Sequence, residues 1–226
     1  MILQQPRIFL IHALRLSIQP SEAAFKAAWP EASLINVLDD SLSRDRALGG
    51  ASAQSLVQRF LSLGRYARMS RADAVFFTCS AFDEEIDAVA RDLFPLSVIK
   101  PYTAMFAQAL AIPGRVAVLV TFRPTIEQIK AALPAGLEAD IIYCPNALAA
   151  LETGDGADHD NAITKTARGL TGYGGIVLAQ FSMARAAAAV VRATGLPVLT
   201  APHCAVEALR AYWQTGISPH APTIST

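Results

Sequence analysis

A cysteine directly follows one of the apolar runs of this chain. The stretch Thr78–Asp83 places Ser80 and Asp83 in the S-x-x-D spacing that begins many helices. Cys79 would then lie at a helix N-terminus, beside backbone N–H groups that favour an anion. Such a position lowers the pKa of a thiol from its usual value of about 8.5. A thiolate there could take a proton from carbon or attack carbon, whereas the alternative is a small buried filler.

The other cysteines give weaker signals. Cys144 comes directly before Pro145, and we interpret it as structural. Cys204 follows His203 near the start of a helical pattern, although sequence neighbours seldom form a working thiol–imidazole pair. Three cysteines without CxxC spacing predict neither a disulfide framework nor a structural zinc site.

Composition narrows the class of protein. The 226 residues are 53% hydrophobic and only 17% charged, with 19 basic and 19 acidic side chains. The absence of a basic stripe argues against nucleic acid or an anionic membrane as a partner. No apolar stretch approaches the ~18 residues of a membrane span, and the N-terminus lacks a signal-peptide pattern. We expect a cytoplasmic protein with reduced thiols, which forms a homo-oligomer, either a dimer or a tetramer.

Short apolar runs alternate with longer Ala-rich stretches of helical period. The runs lack in/out alternation, as is typical of strands buried on both faces. Strands that alternate with helices predict the α/β class with parallel sheets. The eight predicted strands are Arg7–Ile11, Ser33–Val37, Ala74–Thr78, Ser97–Ile99, Arg115–Val120, Asp140–Tyr143, Gly175–Ala179 and Pro197–Leu199.

Parts of the sequence repeat. Ala74–Cys79 aligns with Gly175–Gln180 at an offset of 180 − 79 = 101. The same offset aligns Ile99–Ala104 with Thr200–Ala205, and an offset of 108 aligns the first and fifth strands. The sequence therefore predicts two duplicated lobes, each with a four-stranded parallel sheet flanked by helices. The predicted lobes are 1–100 with 205–226, and 101–204, and the active site would occupy the cleft between them.

Ligands of parallel sheets lie beyond the carboxyl ends of the strands. Polar groups at these ends suit a small anion, although a lone histidine is more often structural and Asp40 could simply cap a turn. The candidate substrate-binding residues are His12, Ser17, Asp40, Ser41, Thr78, Ser80, Thr121, Phe181 and Ser182.

The stretch Phe77–Ala81, preceded by Ala72–Val75, resembles the first cysteine motif of the aspartate/glutamate racemase superfamily. This superfamily includes hydantoin racemase, maleate isomerase and arylmalonate decarboxylase. Leu38–Ser41, Val98–Pro101 and Gly114–Thr121 also resemble family segments, and the resemblance extends over most of the chain.

The resemblance implies a cofactor-independent isomerase for an amino acid or related small carboxylate. In that family two facing lobes each supply one cysteine, on opposite sides of the substrate. Here the place of the second cysteine is taken by Gln180, whose amide cannot act as a base. It could still hold a carboxylate or stabilise an enolate oxygen.

Three chemistries remain open for Cys79. It could be one base of a racemase, with His203, Cys204 or Ser182 as the other. It could act alone in a one-sided reaction, such as a decarboxylation or the protonation of an enediolate. It could attack covalently, as the first cysteine is thought to do in the maleate isomerase branch. A binding protein for small acids, without catalysis, is the alternative outside the enzymes.

Overall fold

The computed structural model describes residues 5–49 and 52–216, and Ser80 only by its backbone. The chain divides into two units, Met1–Pro101 with Ala205–Thr226, and Tyr102–Cys204. Each unit contains one four-stranded parallel sheet, which confirms the predicted α/β class. No helix in the described part of the chain is long and apolar enough to cross a bilayer.

The sheet of the first unit has the strand order β2-β1-β3-β4. The crossovers between its parallel strands are mainly helical. Its strands are β1 Arg7–His12, β2 Ser33–Leu38, β3 Ala74–Phe77 and β4 Ser97–Ile99, and its helices are α1 Ile18–Ala28, α2 Ser41–Ala47, α3 Ala53–Met69 and α4 Asp83–Leu93.

The sheet of the second unit has the equivalent order β6-β5-β7-β8. The helix that follows β8, α10, begins in this unit and continues beyond Cys204. The strands are β5 Val116–Val120, β6 Ala139–Tyr143, β7 Gly175–Leu178 and β8 Val198–Thr200, and the helices are α5 Thr103–Ala109, α6 Ile126–Ala132, α7 Ala147–Glu152, α8 Gly156–Arg168, α9 Ala187–Thr194 and α10 Ala201–Thr215.

Strand register repeats between the two units. Ile8 of β1 pairs with Ala74 of β3, and Val116 of β5 pairs with Gly175 of β7. These pairs differ by 116 − 8 = 108 and 175 − 74 = 101, the two offsets found in the sequence. The duplication of these strands is therefore confirmed at the level of hydrogen-bonded register.

The fourth strands agree with the predicted offset in their bounds, because β4 Ser97–Ile99 corresponds to β8 Val198–Thr200 at 198 − 97 = 101. Their pairing with the neighbouring strand differs by one residue. Val75 pairs with Val98, whereas Ile176, its counterpart at offset 101, pairs with Val198. The register of β8 on β7 is therefore shifted by one residue relative to that of β4 on β3.

Burial separates the central strands from the edge strands β2 and β6, whereas the edge strand β4 is buried. All residues of β3, β5 and β7 are buried, in agreement with their continuous apolar sequences. The edge strands β2 and β6 are partly exposed along their length, so burial on both faces was wrong for them. An edge strand has a neighbour on one side only, which leaves its backbone and side chains less covered.

Two helices of the second unit begin in different ways. α9 begins at Ala187 because Phe181–Ala186 form a 3₁₀ helix first. α8 begins at Gly156. The Asp155 side chain caps this helix by accepting a hydrogen bond from the Asp158 amide at 2.9 Å.

Candidate functional site

The first sheet has a topological switch point between β1 and β3. From β1 the sheet extends to β2 on one side and to β3 and β4 on the other. In open α/β sheets a ligand crevice forms at such a point, outside the carboxyl ends of the strands. β1 ends at His12, and Thr78 and Cys79 directly follow β3. The fold thus brings the cysteine junction to the place where a site is expected in this architecture.

Cys79 has extended backbone angles, φ −121° and ψ 121°, and precedes a three-residue 3₁₀ helix, Ser80–Phe82. α4 begins only at Asp83, and Phe82 at its N-cap makes no side-chain capping hydrogen bond. Ser80 is thus the first residue of the 3₁₀ helix and not the N-cap of α4, and its capping bond to Asp83 stays a prediction. The Ser80 side chain lies outside the described residues, and its predicted substrate contact stays a prediction.

The protonation state of Cys79 also differs from expectation. Burial raises the pKa of the Cys79 thiol, and it outweighs the Ala81 amide, the Ser43 hydroxyl and the nearby Arg46, which lower it. The expected lowering of the pKa was wrong, because a single 3₁₀ turn aligns too few peptide dipoles to offset the lost solvation. Cys79 nevertheless stays partly exposed, so a small reagent can reach it.

Two side chains of α2 form part of the surroundings of Cys79. Ser43 is hydrogen-bonded to Cys79, and its hydroxyl also donates to the Ala13 carbonyl at 3.3 Å. The Arg46 guanidinium lies 4.7 Å above the Phe82 ring, and Nη1 is 3.0 Å from Glu85 Oε1. Our sequence interpretation missed both residues. Their i, i+3 spacing after a strand was the available signal, since it places them on one face of a helix.

His12 lies at the centre of a buried polar cluster. Its Nδ1 is 2.8 Å from Thr78 Oγ1 and 3.0 Å from Ser17 Oγ, and these two oxygens are 2.9 Å apart. All three side chains are buried. Burial also lowers the pKa of His12, against the opposing influence of Asn36 and Glu22. These three side chains form hydrogen bonds with one another, and they connect β1 with the junction that carries Cys79.

Asp40 and Ser41 belong to different ion-pair networks. Asp40 is exposed, and its carboxylate is 3.2 Å from Arg15 Nη2. The Ser41 hydroxyl donates to Asp39 Oδ1 at 2.6 Å and accepts from Arg59. Burial alone would raise the pKa of Asp39, but hydrogen bonds from Ser41 and Arg59 outweigh it and lower the pKa.

In the second unit, the side chain of Gln180 is held at both ends. Its Oε1 accepts from the Thr121 N–H at 2.9 Å, and its Nε2 donates to Thr125 Oγ1 at 2.9 Å. Thr125 matches Ser17 of the first unit at offset 108, and each hydroxyl donates to a carbonyl three residues earlier. One amide hydrogen and one lone pair of Gln180 remain for a ligand.

The remaining candidate residues differ in how exposed their side chains are. Phe181 is buried and Ser182 partly exposed in the 3₁₀ helix after Gln180. His203 is exposed in the first turn of α10, and the next residue, Cys204, is buried. Cys144 is fully buried, which raises its pKa to about 11. Within residues 5–49 and 52–216, no three His, Cys, Asp or Glu side chains are grouped as a metal ion would require.

Neither a scan of protein-family models nor a search of curated proteins returned a match to this chain. Similar solved structures include allantoin racemase from Klebsiella pneumoniae, with 20% identity, 95% of this chain and 90% of that chain covered, and a TM-score of 0.75. Picrophilus torridus aspartate racemase gives 8% identity, 93% and 94% coverage, and a TM-score of 0.72. A point mutant of arylmalonate decarboxylase, in its sulfate-associated form, has 16% identity, with 94% of this chain and 95% of that chain covered, and a TM-score of 0.66.

These similarities extend over nearly the whole chain and therefore include both sheets. At 8–20% identity they establish the fold alone, which is the duplicated α/β fold that this chain shares with the two racemases and the decarboxylase. The fold expected from the resemblance in sequence is thereby confirmed. A shared fold does not by itself assign a reaction, which has to be argued from the site.

Proposed function

We propose that this protein is a cofactor-independent enzyme of the racemase class that acts on a small carboxylate through Cys79. The observation that carries the proposal is the position of Cys79 at the switch point of the first sheet, partly exposed. Cys144 and Cys204, in contrast, are fully buried. Cys79 is therefore the thiol that a substrate could reach.

The surroundings of Cys79 suit proton transfer to or from carbon. The Ala81 amide can donate a hydrogen bond to a thiolate, and the Ser43 hydroxyl can do so if its single hydrogen turns away from the Ala13 carbonyl. Arg46 adds positive charge nearby. Each of these interactions favours the charged sulfur. The free protein holds the proton because burial dominates, so catalysis as a base requires deprotonation when the substrate binds or at higher pH.

The place that matches Cys79 in the second unit is occupied by Gln180, which cannot exchange a proton as a thiol does. This difference favours a second candidate, a one-sided reaction in which Cys79 alone transfers the proton. In a decarboxylation, the substrate would lose CO₂ and become an enediolate, and the Cys79 S–H would then protonate its carbon. The thiolate left behind would recover a proton from solvent.

Heavy water separates the two candidates. The protein is incubated in D₂O with each enantiomer of aspartate and with an arylmalonate, which are the carboxylates that the similar structures suggest. A racemase incorporates deuterium at the stereogenic carbon and forms the opposite enantiomer. A one-sided decarboxylase releases CO₂ and gives a single labelled enantiomer.

The test variant is Cys79→Ser, which changes the accessible thiol. The control is Cys144→Ala, which changes a buried thiol. We expect Cys79→Ser to lower turnover at least ~100-fold, the usual contribution of a positioned acid or base. Cys144→Ala should keep most of the activity. Equal activity of Cys79→Ser and the parent protein would refute a role of this thiol, and tight binding without deuterium uptake would indicate a binding protein.

A further inference from the structure

The cluster around His12 continues outward to the protein surface. Asn36 lies on edge strand β2, and its Oδ1 is 2.9 Å from His12 Nε2. Its amide nitrogen donates to Glu22 Oε1 of α1 at 2.7 Å. A carboxylate, an amide, an imidazole and two hydroxyls thus form one continuous chain of hydrogen bonds that ends at the residue before Cys79.

We propose that Glu22 and Asn36 are positioning residues for Cys79, because they fix the tautomer of His12 and thereby the orientation of the Thr78 hydroxyl. The effect on catalysis rests on the function proposed above. The hydrogen-bond arrangement, in contrast, follows from the contacts themselves.

The carboxylate of Glu22, at the exposed end of this series of hydrogen bonds, determines which group donates and which accepts at each step. A carboxylate only accepts, so the Asn36 NH₂ group points to Glu22 and its oxygen points to His12. His12 Nε2 must then carry a hydrogen. In the neutral ring, Nδ1 is left as an acceptor that faces the two hydroxyls. The opposite orientation of the amide would place two oxygens 2.7 Å apart, without a hydrogen between them.

At the buried end of this series of hydrogen bonds, the hydroxyls of Ser17 and Thr78 supply one hydrogen for His12 Nδ1. The Ser17 hydroxyl donates to the Leu14 carbonyl at 2.8 Å, so the hydrogen for Nδ1 comes from the Thr78 hydroxyl. This hydroxyl lies 2.8 Å from Nδ1 and 2.9 Å from Ser17 Oγ, and donation to Nδ1 is the arrangement that satisfies the buried ring nitrogen. The Thr78 hydroxyl is therefore directed away from the Ile11 carbonyl, which is 3.4 Å from it. Because these groups are buried, water does not replace a lost partner at low cost.

The second unit lacks this arrangement. The places of His12 and Thr78 are taken by Val120 and Ala179, at offsets 108 and 101, and neither side chain can form a hydrogen bond. There the strand-end residue Gln180 is itself held by Thr121 and Thr125. The first unit instead fixes the residue before its cysteine, which leaves the Cys79 side chain outside the cluster. A thiol that reacts with a substrate needs its side chain outside such a cluster, and the first unit provides this for Cys79.

The test begins with ¹⁵N NMR of the His12 ring in the parent protein, which needs no substrate and no variant. The Nε2–H tautomer is expected. An Nδ1–H tautomer would overturn the proposal, because the Thr78 hydroxyl could then no longer donate to this nitrogen.

Asn36→Leu then removes the amide link at an exposed position, and Glu22→Gln replaces a group that only accepts by an amide that can also donate, so each variant releases the fixed orientation. Glu31→Gln changes an exposed carboxylate outside the cluster and is the control. We expect Asn36→Leu to lower kcat about tenfold, the lower end of what the loss of an orienting partner of histidine costs at metal sites. KM should change much less. The rate of Cys79 alkylation should change in both variants and stay at the parent value in Glu31→Gln.

Parent rates of alkylation in both variants, at an unchanged melting temperature, would overturn the positioning role. If the parent protein turns over none of the substrates, the proposed function fails. The tautomer and the alkylation rates still decide the positioning of Cys79 in that case, so the two failures are distinguishable.

Discussion

The Gln180 side chain accepts a hydrogen bond from the backbone N–H of Thr121 at 2.9 Å. This contact joins the ends of β5 and β7, the two central strands of the second sheet. The matching junction of the first sheet has Cys79 in place of Gln180 and a histidine cluster beside it. The two halves of a duplicated fold thus hold the same strand ends with different chemistry, one with an ionisable thiol and one with a neutral amide.

Replacement of Gln180 by leucine should destabilise the protein by about 1–3 kcal/mol, because the Thr121 N–H would lose its partner. Urea unfolding measures this difference. Thr125→Val removes only the contact at the other end of the amide and should cost less. A Gln180→Leu variant as stable as the parent would show that the Thr121 N–H does not depend on this side chain.

Iodoacetamide should label the folded protein at one position, Cys79. Cys144 and Cys204 are fully buried, and the raised pKa of Cys144, about 11, keeps it a thiol. Because burial raises the pKa of Cys79 as well, its labelling rate should still increase above the usual thiol pKa of about 8.5. Mass spectrometry of the labelled peptides over a pH series checks both points, and a labelling rate that levels off near neutral pH would contradict the second.

Arg46→Gln should slow the labelling of Cys79 at a fixed pH below its pKa. The loss of the nearby positive charge raises the pKa of Cys79 further and reduces the thiolate fraction. Arg44→Gln, which removes an exposed arginine of the same helix, is the control. Equal labelling rates in the two variants would rule out an electrostatic effect of Arg46 on the sulfur.

Gly64→Ala should destabilise the first unit by about 1–3 kcal/mol, the usual cost of overpacking. A Cβ at this position of α3 would lie 2.5 Å from Val89 Cγ1 of α4. Gly169→Ala is the matched control, because its Cβ would be 3.5 Å from the nearest atom, an ordinary contact. Thermal unfolding of the two variants should separate them clearly, and equal melting temperatures would contradict the tight helix contact.

Acid should weaken the fold through His12. Burial lowers the pKa of His12 in the folded protein, despite the opposing contributions of Asn36 and Glu22. As the pH falls below the unfolded value of about 6.5, the unfolded chain therefore takes up a proton that the folded chain resists. The contribution of His12 to stability is thus present above this pH and is lost as the pH falls towards the folded pKa.

The measurement is the free energy of unfolding at pH 7.5 and 5.5, for the parent protein and for His12→Asn. The parent protein should lose more stability between the two values than the variant does. An NMR titration of His12 with a midpoint at or above 6.5 would contradict the prediction.

The sequence alone determined the α/β class, the duplication and the position of Cys79. Apolar runs without alternation predicted the strands, and the expected burial on both faces held for β3, β5 and β7 but not for β2 and β6. Repetition at constant offsets then identified equivalent strands, and the order of strands and helices located the junctions. These properties depend on the types of residues and their order along the chain, so they can be predicted without knowledge of the contacts between distant residues.

Only the tertiary structure decided what surrounds the thiol and how it is protonated. Ser43 and Arg46 reach Cys79 from a helix earlier in the chain, at separations of 79 − 43 = 36 and 79 − 46 = 33 residues, and Asn36 reaches His12 across the sheet. The i, i+3 spacing of Ser43 and Arg46 places them on one face of a helix, but no local pattern shows which distant residue that face meets. The pKa of Cys79 followed the same rule: a helix terminus suggested a lower value, and the burial imposed by the packed unit raised it. Solvation depends on everything packed around a group, so it is known only once the chain has folded.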